Sequence, residues 1–240
     1  MKLSVVIPAY NEAERIAQTI RETLSYFDRS ARPVEVLLVD DGSTDSTVER
    51  TLEAAAGDKR IKVIKCPENK GKGAAVRTGI LASTGSRVLL SDADLSTPLS
   101  ELSILEERLD AGIQIAIGSR GTKGAQLVRR QPALRELAGK AGNLVIGLVC
   151  PPLWGISDTQ CGFKLFEGAI ARKLFAMQLL ERFGFDVEIL YLARRSGYTV
   201  EEIPVVWAHN TGSKVRAVDY VYTMIEVLKV RINDLSGKYR

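Results

Sequence analysis

Two carboxylates one residue apart, Asp92 and Asp94, have the most specific chemistry of any pair in the sequence. They come shortly after an apolar run at 87–90, so both can point to one side once the chain leaves a strand. Paired carboxylates supply the hard oxygen ligands that Mg²⁺ and Mn²⁺ prefer. A cation bound there would carry a diphosphate and stabilise a leaving group. The alternative interpretation is a solvated turn before a helix cap at Thr97.

Three further polar clusters each follow an apolar run: Pro8-Ala9-Tyr10-Asn11-Glu12, Asp40-Asp41-Gly42-Ser43 and Lys70-Gly71-Lys72-Gly73. The adjacent acids of the second cluster suit ribose hydroxyls or a nucleobase N–H. The glycines of the third let backbone N–H groups approach a phosphate. The alternative interpretation of the second cluster is an ordinary turn, and that of the third cluster is a flexible basic loop. The spacing of a P-loop and the GxGxxG fingerprint of a dinucleotide site are both absent, which argues against those two classes of protein.

Short β-branched runs alternate with helix signals up to the Asp92 cluster, and these elements must position the polar groups. We predict strands at 3–7, 34–39, 61–65 and 87–90, and helices at 11–27, 46–56 and 71–83. Two of the helix starts rest on capping boxes, Asn11 with Glu14 and Ser46 with Glu49. This alternation predicts an α/β fold, with a mostly parallel central sheet and helices on both faces. Ligands of such sheets bind beyond the carboxyl ends of the strands, where the four clusters fall.

The pattern after Thr97 is looser. We predict a helix at 98–110, a strand at 113–118, a helix at 186–195, a strand at 200–207 and a closing helix at 219–232. The closing helix has an apolar face that we interpret as ordinary core contact, formed by Val218, Val221, Ile225, Leu228 and Ile232.

A basic segment at 121–142 lies directly before the apolar block Leu144–Trp154. Bases beside an apolar block that is too short to span a bilayer indicate an element lying on a membrane surface. The alternative is a helix pair packed on the sheet. The bases are Lys123, Arg129, Arg130, Arg135 and Lys140.

Composition excludes several classes of protein. A chain of 240 residues, with 45% hydrophobic and 26% charged residues, fits one globular domain and excludes intrinsic disorder. A net charge of +4 does not indicate a nucleic-acid partner. Cys66, Cys150 and Cys161 are too few and too scattered for a disulfide framework, which favours a reducing compartment. No pair of them has CxxC spacing, which argues against a structural zinc site. We expect Cys161 and the lone His209 to be structural.

We also expect a cytoplasmic protein that does not cross a membrane. No signal peptide is visible, and no stretch approaches the roughly 18 continuous apolar residues of a transmembrane helix.

Four motifs in the first half, taken together, carry a resemblance to a known family. VVIPAYNE (5–12), VDDGSTD (39–45), NKGKGAAVRTG (69–79) and SDADLSTP (91–98) resemble, in order and spacing, the inverting family 2 nucleotide-sugar glycosyltransferases with the GT-A fold. DTQCGFKLF (158–166), FDVEIL (185–190), EIPVVW (202–207) and GSK (212–214) are similar to the dolichyl-phosphate β-glucosyltransferase branch. Dolichyl-phosphate mannose synthases share the first half. The resemblance extends from Leu3 to about Ile232.

The resemblance implies roles for particular residues. Nucleotide-sugar contacts fall on Pro8, Ala9, Tyr10, Glu12, Val39, Asp40, Asp41, Lys72, Asp92, Ala93, Asp94 and Arg120. Asp92 and Asp94 hold the metal and, with Arg120 and Asp158, form the catalytic set. Thr159 and Gln160 face the sugar beside Asp158. The acceptor phosphate meets Arg129, Arg130, Ser213 and Lys214. Mannose synthases often place Gln where this chain has Ser96, so the third metal ligand stays open.

The implied organisation is one GT-A domain over 1–240. It comprises a donor half at 1–96, an acceptor half at 97–214 with an interfacial segment at about 124–156, and a C-terminal amphipathic helix at 215–240.

The implied activity is metal-dependent transfer of a hexose, with Mg²⁺ or Mn²⁺. Glucose from UDP-glucose is favoured, and the acceptor is a polyprenyl or dolichyl phosphate at the cytoplasmic face of a membrane, reached without a spanning helix. The alternatives are mannose from GDP-mannose, a non-lipid acceptor, and a non-catalytic nucleotide-sugar-binding module. An anionic lipid phosphate needs no general base, whereas a sugar hydroxyl needs one, for which Asp158 is the candidate.

Overall fold

The computed structural model describes residues 1–30, 32–129, 133–208 and 217–239, which contain nine strands and eight helices. In chain order these are β1 Leu3–Ala9, α1 Ile16–Asp28, β2 Val34–Asp40, α2 Thr47–Ala55, β3 Ile61–Lys65, α3 Lys72–Ala82, β4 Arg87–Ser91, α4 Leu102–Asp110, β5 Ile115–Ser119, β6 Gln126–Arg129, α5 Ala133–Val149, β7 Phe163–Glu167, α6 Gly168–Ala176, α7 Phe185–Arg195, β8 Val200–Pro204, β9 Val206–Ala208 and α8 Ala217–Leu235. The side chains at 129, 133–138, 140 and 217–219 fall outside the description, and so do Arg130, His209, Ser213 and Lys214 altogether.

The central sheet confirms the predicted α/β fold. Its strand order is β3-β2-β1-β4-β7-β5-β8, and β6 pairs with β9 in a separate two-stranded ribbon. Neighbouring strands of the central sheet are parallel except where β7 pairs with β4 and β5. The sheet is therefore mostly parallel with one reversed strand.

The strands carry apolar side chains on both faces because helices cover both. Leu3, Val5 and Ile7 of β1 join one core with α1 and α4, whereas Val6 joins the other core with α3, α6 and α7. Burying an aliphatic side chain of this size contributes about 1.5–3 kcal/mol. The near-continuous apolar runs that predicted these strands are thus accounted for by two-sided burial.

The reversal of β7 decides what meets at the ligand edge of the sheet. The carboxyl ends of β1, β2, β4, β5 and β8 lie at one edge, and β7 begins there because it runs the other way. The segment at 158–162, which leads into β7, is therefore brought to the same edge as the loops after β1, β2 and β4.

Both predicted capping boxes are wrong. Helix α1 begins at Ile16, because Asn11 adopts a left-handed φ of 53° and its side chain accepts the Thr44 N–H instead. Helix α2 begins at Thr47, but the Ser46 side chain makes no capping hydrogen bond. Asp45 accepts the Thr47 N–H at 3.0 Å in its place. At the first site the Asn11 side chain therefore binds loop backbone, and at the second the bond to the start of α2 comes from Asp45 and not from Ser46.

The predicted strand at 200–207 is two strands in two sheets. Val200–Pro204 pairs with β5 in the central sheet, and Val206–Ala208 pairs with β6 in the ribbon. Pro204 ends the first strand, since it has no N–H to continue a ladder. The predicted helix at 98–110 likewise opens with a 3₁₀ turn at Leu99–Glu101 before α4 begins.

The apolar face of α8 does not pack into the core, which contradicts the interpretation of that helix. Among the side chains of α8 that the structure describes, those at 220–235, the buried apolar ones are Val227 and Val230. Of the five residues expected to be buried, Val218 lies outside the described side chains and the other four are exposed, with two further exposed residues beside them. Val221, Tyr222, Ile225, Leu228, Ile232 and Leu235 are each more than two-fifths exposed. We call these six residues the α8 stripe.

Candidate active site

Asp92 lies at the centre of the edge where the strand ends meet. Its Oδ1 accepts a hydrogen bond and ion pair from Lys72 Nζ at 2.6 Å. On its other side is the backbone of Gly162, where an added Cβ would lie 1.9 Å from Asp92 Oδ2. Glycine is required at 162 because of this close approach. The structure thereby joins three sequence motifs that are far apart in the chain.

The side chain of Asp94, two residues after Asp92, is also fixed by its neighbours. Its Oδ1 accepts the Ser96 N–H at 2.9 Å, across a turn in which Leu95 has a φ of 47°. Arg15 Nη1 lies 4.0 Å from Asp94 Oδ2, and Arg15 Nε pairs with Glu12 at 2.7 Å. Arg15 thus links the first donor motif to the carboxylate pair, a link that sequence analysis missed.

Asp41 fixes the loop that carries Lys72. Its carboxylate accepts hydrogen bonds from the Asn69 amide at 2.9 Å, the Lys70 N–H at 3.1 Å and the Gly71 N–H at 2.8 Å. Burial raises its pKa despite these bonds. Because α3 begins at Lys72, directly after this loop, Asp41 sets where the lysine enters the site.

The other residues of the predicted donor site surround this centre. Pro8 pairs in register with Val39, and Ala9 with Asp40, so the two strands end level with each other. Asp40 is buried and faces the Ser43 N–H at 3.3 Å.

Two more predicted donor-site residues lie at the ends of the neighbouring strands. The carbonyl of buried Ala93 accepts the Thr19 hydroxyl, and Tyr10 is exposed at the end of β1. The predicted donor residues therefore meet at one edge; their contacts with a nucleotide stay a prediction.

The charge on Lys72 is secured by its surroundings. Burial acts to lower the pKa of Lys72, but the carboxylates of Asp92, Asp186 and Asp94 outweigh it and raise the pKa above its ordinary value. Lys72 is therefore a fixed cation beside the carboxylate pair.

Arg120 and Asp158 form a bidentate ion pair at the same edge. Arg120 Nε and Nη2 lie 2.6 and 2.8 Å from the two carboxylate oxygens, and the Arg120 backbone N–H donates at 3.0 Å. Burial acts to raise the pKa of Asp158, but Arg120 outweighs it and lowers the pKa. A carboxylate of low pKa with both oxygens in use suits the positioning of Arg120 better than proton abstraction.

Two residues without an assigned role support this pair. Glu202 accepts the Ser157 and Asp158 N–H groups at 2.7 and 2.9 Å and the Ser119 hydroxyl at 2.8 Å. The Arg120 guanidinium lies 5.3 Å from the centre of the Trp207 ring, a cation–π contact. Both lie in the EIPVVW motif, and that motif is the feature of the sequence from which a role for these two residues could have been predicted.

The segment facing Arg120 is also tied to α5. The Thr159 hydroxyl donates to Asn143 Oδ1 at 3.0 Å, and the Gln160 N–H donates to Asp158 Oδ1 at 3.3 Å. Cys161 is buried, as expected of a structural thiol, and burial raises its pKa to about 11.

A second ion pair adjoins Asp92 from the protein interior. Lys164 Nζ donates to Asp186 Oδ1 at 2.5 Å and to the Cys161 carbonyl at 2.6 Å. Sequence analysis assigned neither residue a role, although both lie in motifs that it singled out.

The carboxylates at 92 and 94 fit a divalent cation. Among the residues that the structure describes, no group of three His, Cys, Asp or Glu side chains is arranged to hold a metal. Mg²⁺ is commonly bound through one or two carboxylates, with water and substrate phosphates completing its shell. Asp92 and Asp94 supply that number of protein ligands.

Comparison with known proteins agrees with this geometry. The model of the family described as glycosyl transferase family 2 matches residues 4–175. The chain belongs to glycosyl transferase family 2. It is 34% identical over 253 residues to dolichyl-phosphate beta-glucosyltransferase of Homo sapiens, covering 100% of this chain and 78% of that one. It is also 34% identical to the enzyme of that name in Saccharomyces cerevisiae, over 99% of this chain and 76% of that one.

Solved structures show the same fold. Glucosyl-3-phosphoglycerate synthase from Mycobacterium tuberculosis, solved with Mn²⁺, UDP-glucose and phosphoglyceric acid, superposes with a TM-score of 0.71 at 20% identity over 96% of this glycosyltransferase and 79% of that chain. Mannosyl-3-phosphoglycerate synthase from Rubrobacter xylanophilus gives 0.72 at 20% identity, over 99% and 75% of the two chains. These likenesses establish the GT-A architecture.

No helix of this family 2 glycosyltransferase within residues 1–30, 32–129, 133–208 and 217–239 combines the length and the apolar character needed to cross a bilayer.

Proposed function

We propose that this glycosyltransferase moves glucose from UDP-glucose to a polyprenyl or dolichyl phosphate, with inversion at the anomeric carbon. The observation that carries the proposal is structural. A strand-end site with two carboxylates, a lysine and an arginine is tied through Thr159 and Asn143 to a helix with exposed apolar side chains. The curated relatives, which are named dolichyl-phosphate beta-glucosyltransferases, support the choice of sugar and acceptor.

The chemistry follows from where charge develops. The bond between the anomeric carbon and the donor diphosphate breaks, and an oxygen of the acceptor phosphate forms the new bond. That oxygen is already anionic near pH 7, so no side chain has to remove a proton. Asp92 and Asp94 would hold a Mg²⁺ or Mn²⁺ ion, which supplies Lewis-acid stabilisation of the departing diphosphate when bound.

The protein's own cations complete the electrostatics. Lys72 is a fixed positive charge beside Asp92, and it would neutralise the same diphosphate. Arg120 is held charged and in one orientation by Asp158 and Trp207. Preorganised charges of this kind need no rearrangement during the reaction.

The two substrates would use different parts of the chain. The donor would bind to 1–96 and the acceptor to 97–214, within one domain whose last helix is α8. Arg129 ends β6 and is paired with Ala208, next to Trp207. That position supports an acceptor-phosphate role for Arg129, with Arg130, Ser213 and Lys214 as its proposed partners.

The protein would reach the lipid from the cytoplasmic surface of a membrane. Helix α5 exposes Leu144, Val145 and Leu148, and it packs against α8, which exposes the α8 stripe. Lys229 lies exposed at the border of that stripe. An apolar helix face flanked by bases fits the surface of a bilayer that contains anionic lipids. The free cysteines fit the reducing side of the membrane.

The test is transfer of radiolabelled sugar into organic solvent. Purified protein receives polyprenyl phosphate and either UDP-glucose or GDP-mannose, with Mn²⁺ and Mg²⁺ in separate reactions. We expect lipid-extractable label from UDP-glucose that is lost in Asp94→Ala and kept in Asp110→Ala, an exposed acid away from the site. Lipid-extractable label from GDP-mannose alone would show that the transferred sugar is mannose and not glucose. Hydrolysis of the donor without any label in the lipid would contradict the proposed lipid acceptor.

A further inference from the structure

Lys164 and Asp186 form an ion pair that is almost closed to solvent. Their side chains are 2% and 5% exposed. The cost of desolvating two charges often exceeds their attraction, so stability alone is a weak reason for such a pair. A buried pair next to a charged site therefore calls for a role in that site.

One link from the pair to the site runs through the backbone. Lys164 Nζ donates to the Cys161 carbonyl at 2.6 Å while pairing with Asp186. The next residue is Gly162, whose backbone lies against the Asp92 carboxylate. Lys164 thus ties the Cys161–Gly162 peptide to the first turn of α7.

A second link runs through charge. The carboxylate of Asp186 is one of the groups that raise the pKa of Lys72. Lys72 in turn pairs with Asp92. Asp186 therefore contributes, together with Asp92 and Asp94, to the negative charge that faces Lys72.

We propose that Lys164 and Asp186 are positioning residues of the donor site. They hold the Gly162 backbone against Asp92, so that this carboxylate is set for a divalent cation and the donor diphosphate. This inference rests on the proposed function in one respect, that the donor diphosphate binds at Asp92.

The test is the double variant Lys164→Met/Asp186→Leu. Replacing a buried ion pair by apolar side chains of similar volume is often neutral or stabilising, so this variant separates positioning from stability. The readouts are the thermal unfolding midpoint and calorimetric titrations, in which UDP is added in the presence of Mn²⁺ and Mn²⁺ is added at fixed UDP. The control is Glu35→Gln, which alters a buried acid bound to Ser4, Thr84 and Lys62.

We expect the double variant to fold and to bind both UDP and Mn²⁺ at least tenfold more weakly than the wild type. Glu35→Gln should lower the unfolding midpoint and leave both affinities unchanged. A folded double variant with affinities within twofold of the wild type would overturn the inference.

A milder variant keeps the proposal testable if the double variant does not fold. Asp186→Asn removes one charge and keeps the side-chain volume. The same titrations then test the inference: we expect at least tenfold weaker binding of UDP and Mn²⁺, and affinities within twofold of the wild type would overturn it. A wild type that binds UDP and Mn²⁺ but transfers no glucose to polyprenyl phosphate would overturn the proposed acceptor. The binding titrations would still decide the role of Lys164 and Asp186.

Discussion

The strand-end site and the surface formed by α5 and α8 differ in how their characteristic side chains are held. At the site, charged side chains are fixed by several partners each: Asp41 accepts three hydrogen bonds, and Asp158 binds Arg120 in bidentate fashion. On the helices, large apolar side chains such as Leu148 and Leu228 are more than half exposed. One region is ordered in advance for a charged ligand, whereas the other presents an apolar surface.

This contrast matches the two proposed substrates. A nucleotide sugar brings charge and many hydrogen-bonding groups, which rigid and prepaired side chains can bind without rearrangement. A lipid brings a hydrocarbon chain, which needs apolar area and little directional bonding.

The largest effect is expected from Arg120→Met. It leaves Asp158 buried without its partner, and breaking a buried ion pair costs about 3–5 kcal/mol. We expect the free energy of unfolding, measured in urea, to fall by that amount. The matched variant Arg108→Met removes a more exposed pair with Glu201, whose two side chains are 49% and 37% exposed, and should cost less than about 1 kcal/mol. Equal losses in the two variants would contradict the rigidity assigned to the site.

The next effect is expected from Leu228→Lys in the α8 stripe. Burying a leucine in a membrane interface contributes about 1.5–3 kcal/mol, so binding to vesicles should weaken at least about tenfold. Sedimentation with anionic vesicles measures this, and calorimetric binding of UDP should not change. Leu52→Lys alters an equally exposed leucine on α2 and should leave vesicle binding intact. A similar loss in both variants would remove the membrane role of the stripe.

Gly162 at the strand-end site and Gly139 on α5 differ in the space around them. A Cβ at Gly162 would collide with Asp92, whereas a Cβ at Gly139, on α5, meets no neighbouring atom within 4 Å. Gly162→Ala should therefore strain the site by about 1–3 kcal/mol and weaken UDP binding in the presence of Mn²⁺. Gly139→Ala should leave UDP binding unchanged and stabilise the helix slightly. Urea unfolding and calorimetry measure both; unaltered UDP binding in Gly162→Ala would contradict the close packing at Asp92.

The smallest effect depends on pH and lies at the opposite edge of the sheet. Burial acts to raise the pKa of Glu35, but hydrogen bonds from Lys62, Thr84 and Ser4 outweigh it and lower the pKa. A depressed pKa contributes stability that is present above the unfolded value, about 4.3, and is lost as the pH falls through the folded value. The difference in unfolding free energy between wild type and Glu35→Gln should be about 1–2 kcal/mol at pH 7. It should shrink below about pH 4; a difference independent of pH would contradict the assignment.

Sequence patterns predicted the first half of the molecule well because its signals are local. Each of β1 to β4 is a short apolar run, and each motif follows its strand within a few residues, so register alone places Asp92 and Asp94 at the ligand edge. The errors in this half lie at the helix starts. Asn11 resembles a cap in sequence, but its side chain binds a loop from the next βα unit.

The second half was predicted less well because its contacts join distant residues. Arg120 and Asp158 were both named, but their direct pairing follows from the reversal of β7, which the apolar pattern of that strand does not reveal. Glu202 binds residues more than forty positions away. The 3.6-residue period of α8 was recognised correctly, yet periodicity identifies an apolar face without saying what covers it.

The sequence by itself determined the alternation of strands and helices, the family motifs and the identity of the charged groups, since these depend on neighbours along the chain. Only the tertiary structure decided that Lys72 pairs with Asp92, that Gly162 lies against that carboxylate, and that the α8 stripe faces outward. The physical reason is that ion pairing, close packing and burial depend on distances in space, which the order of strands in the sheet sets.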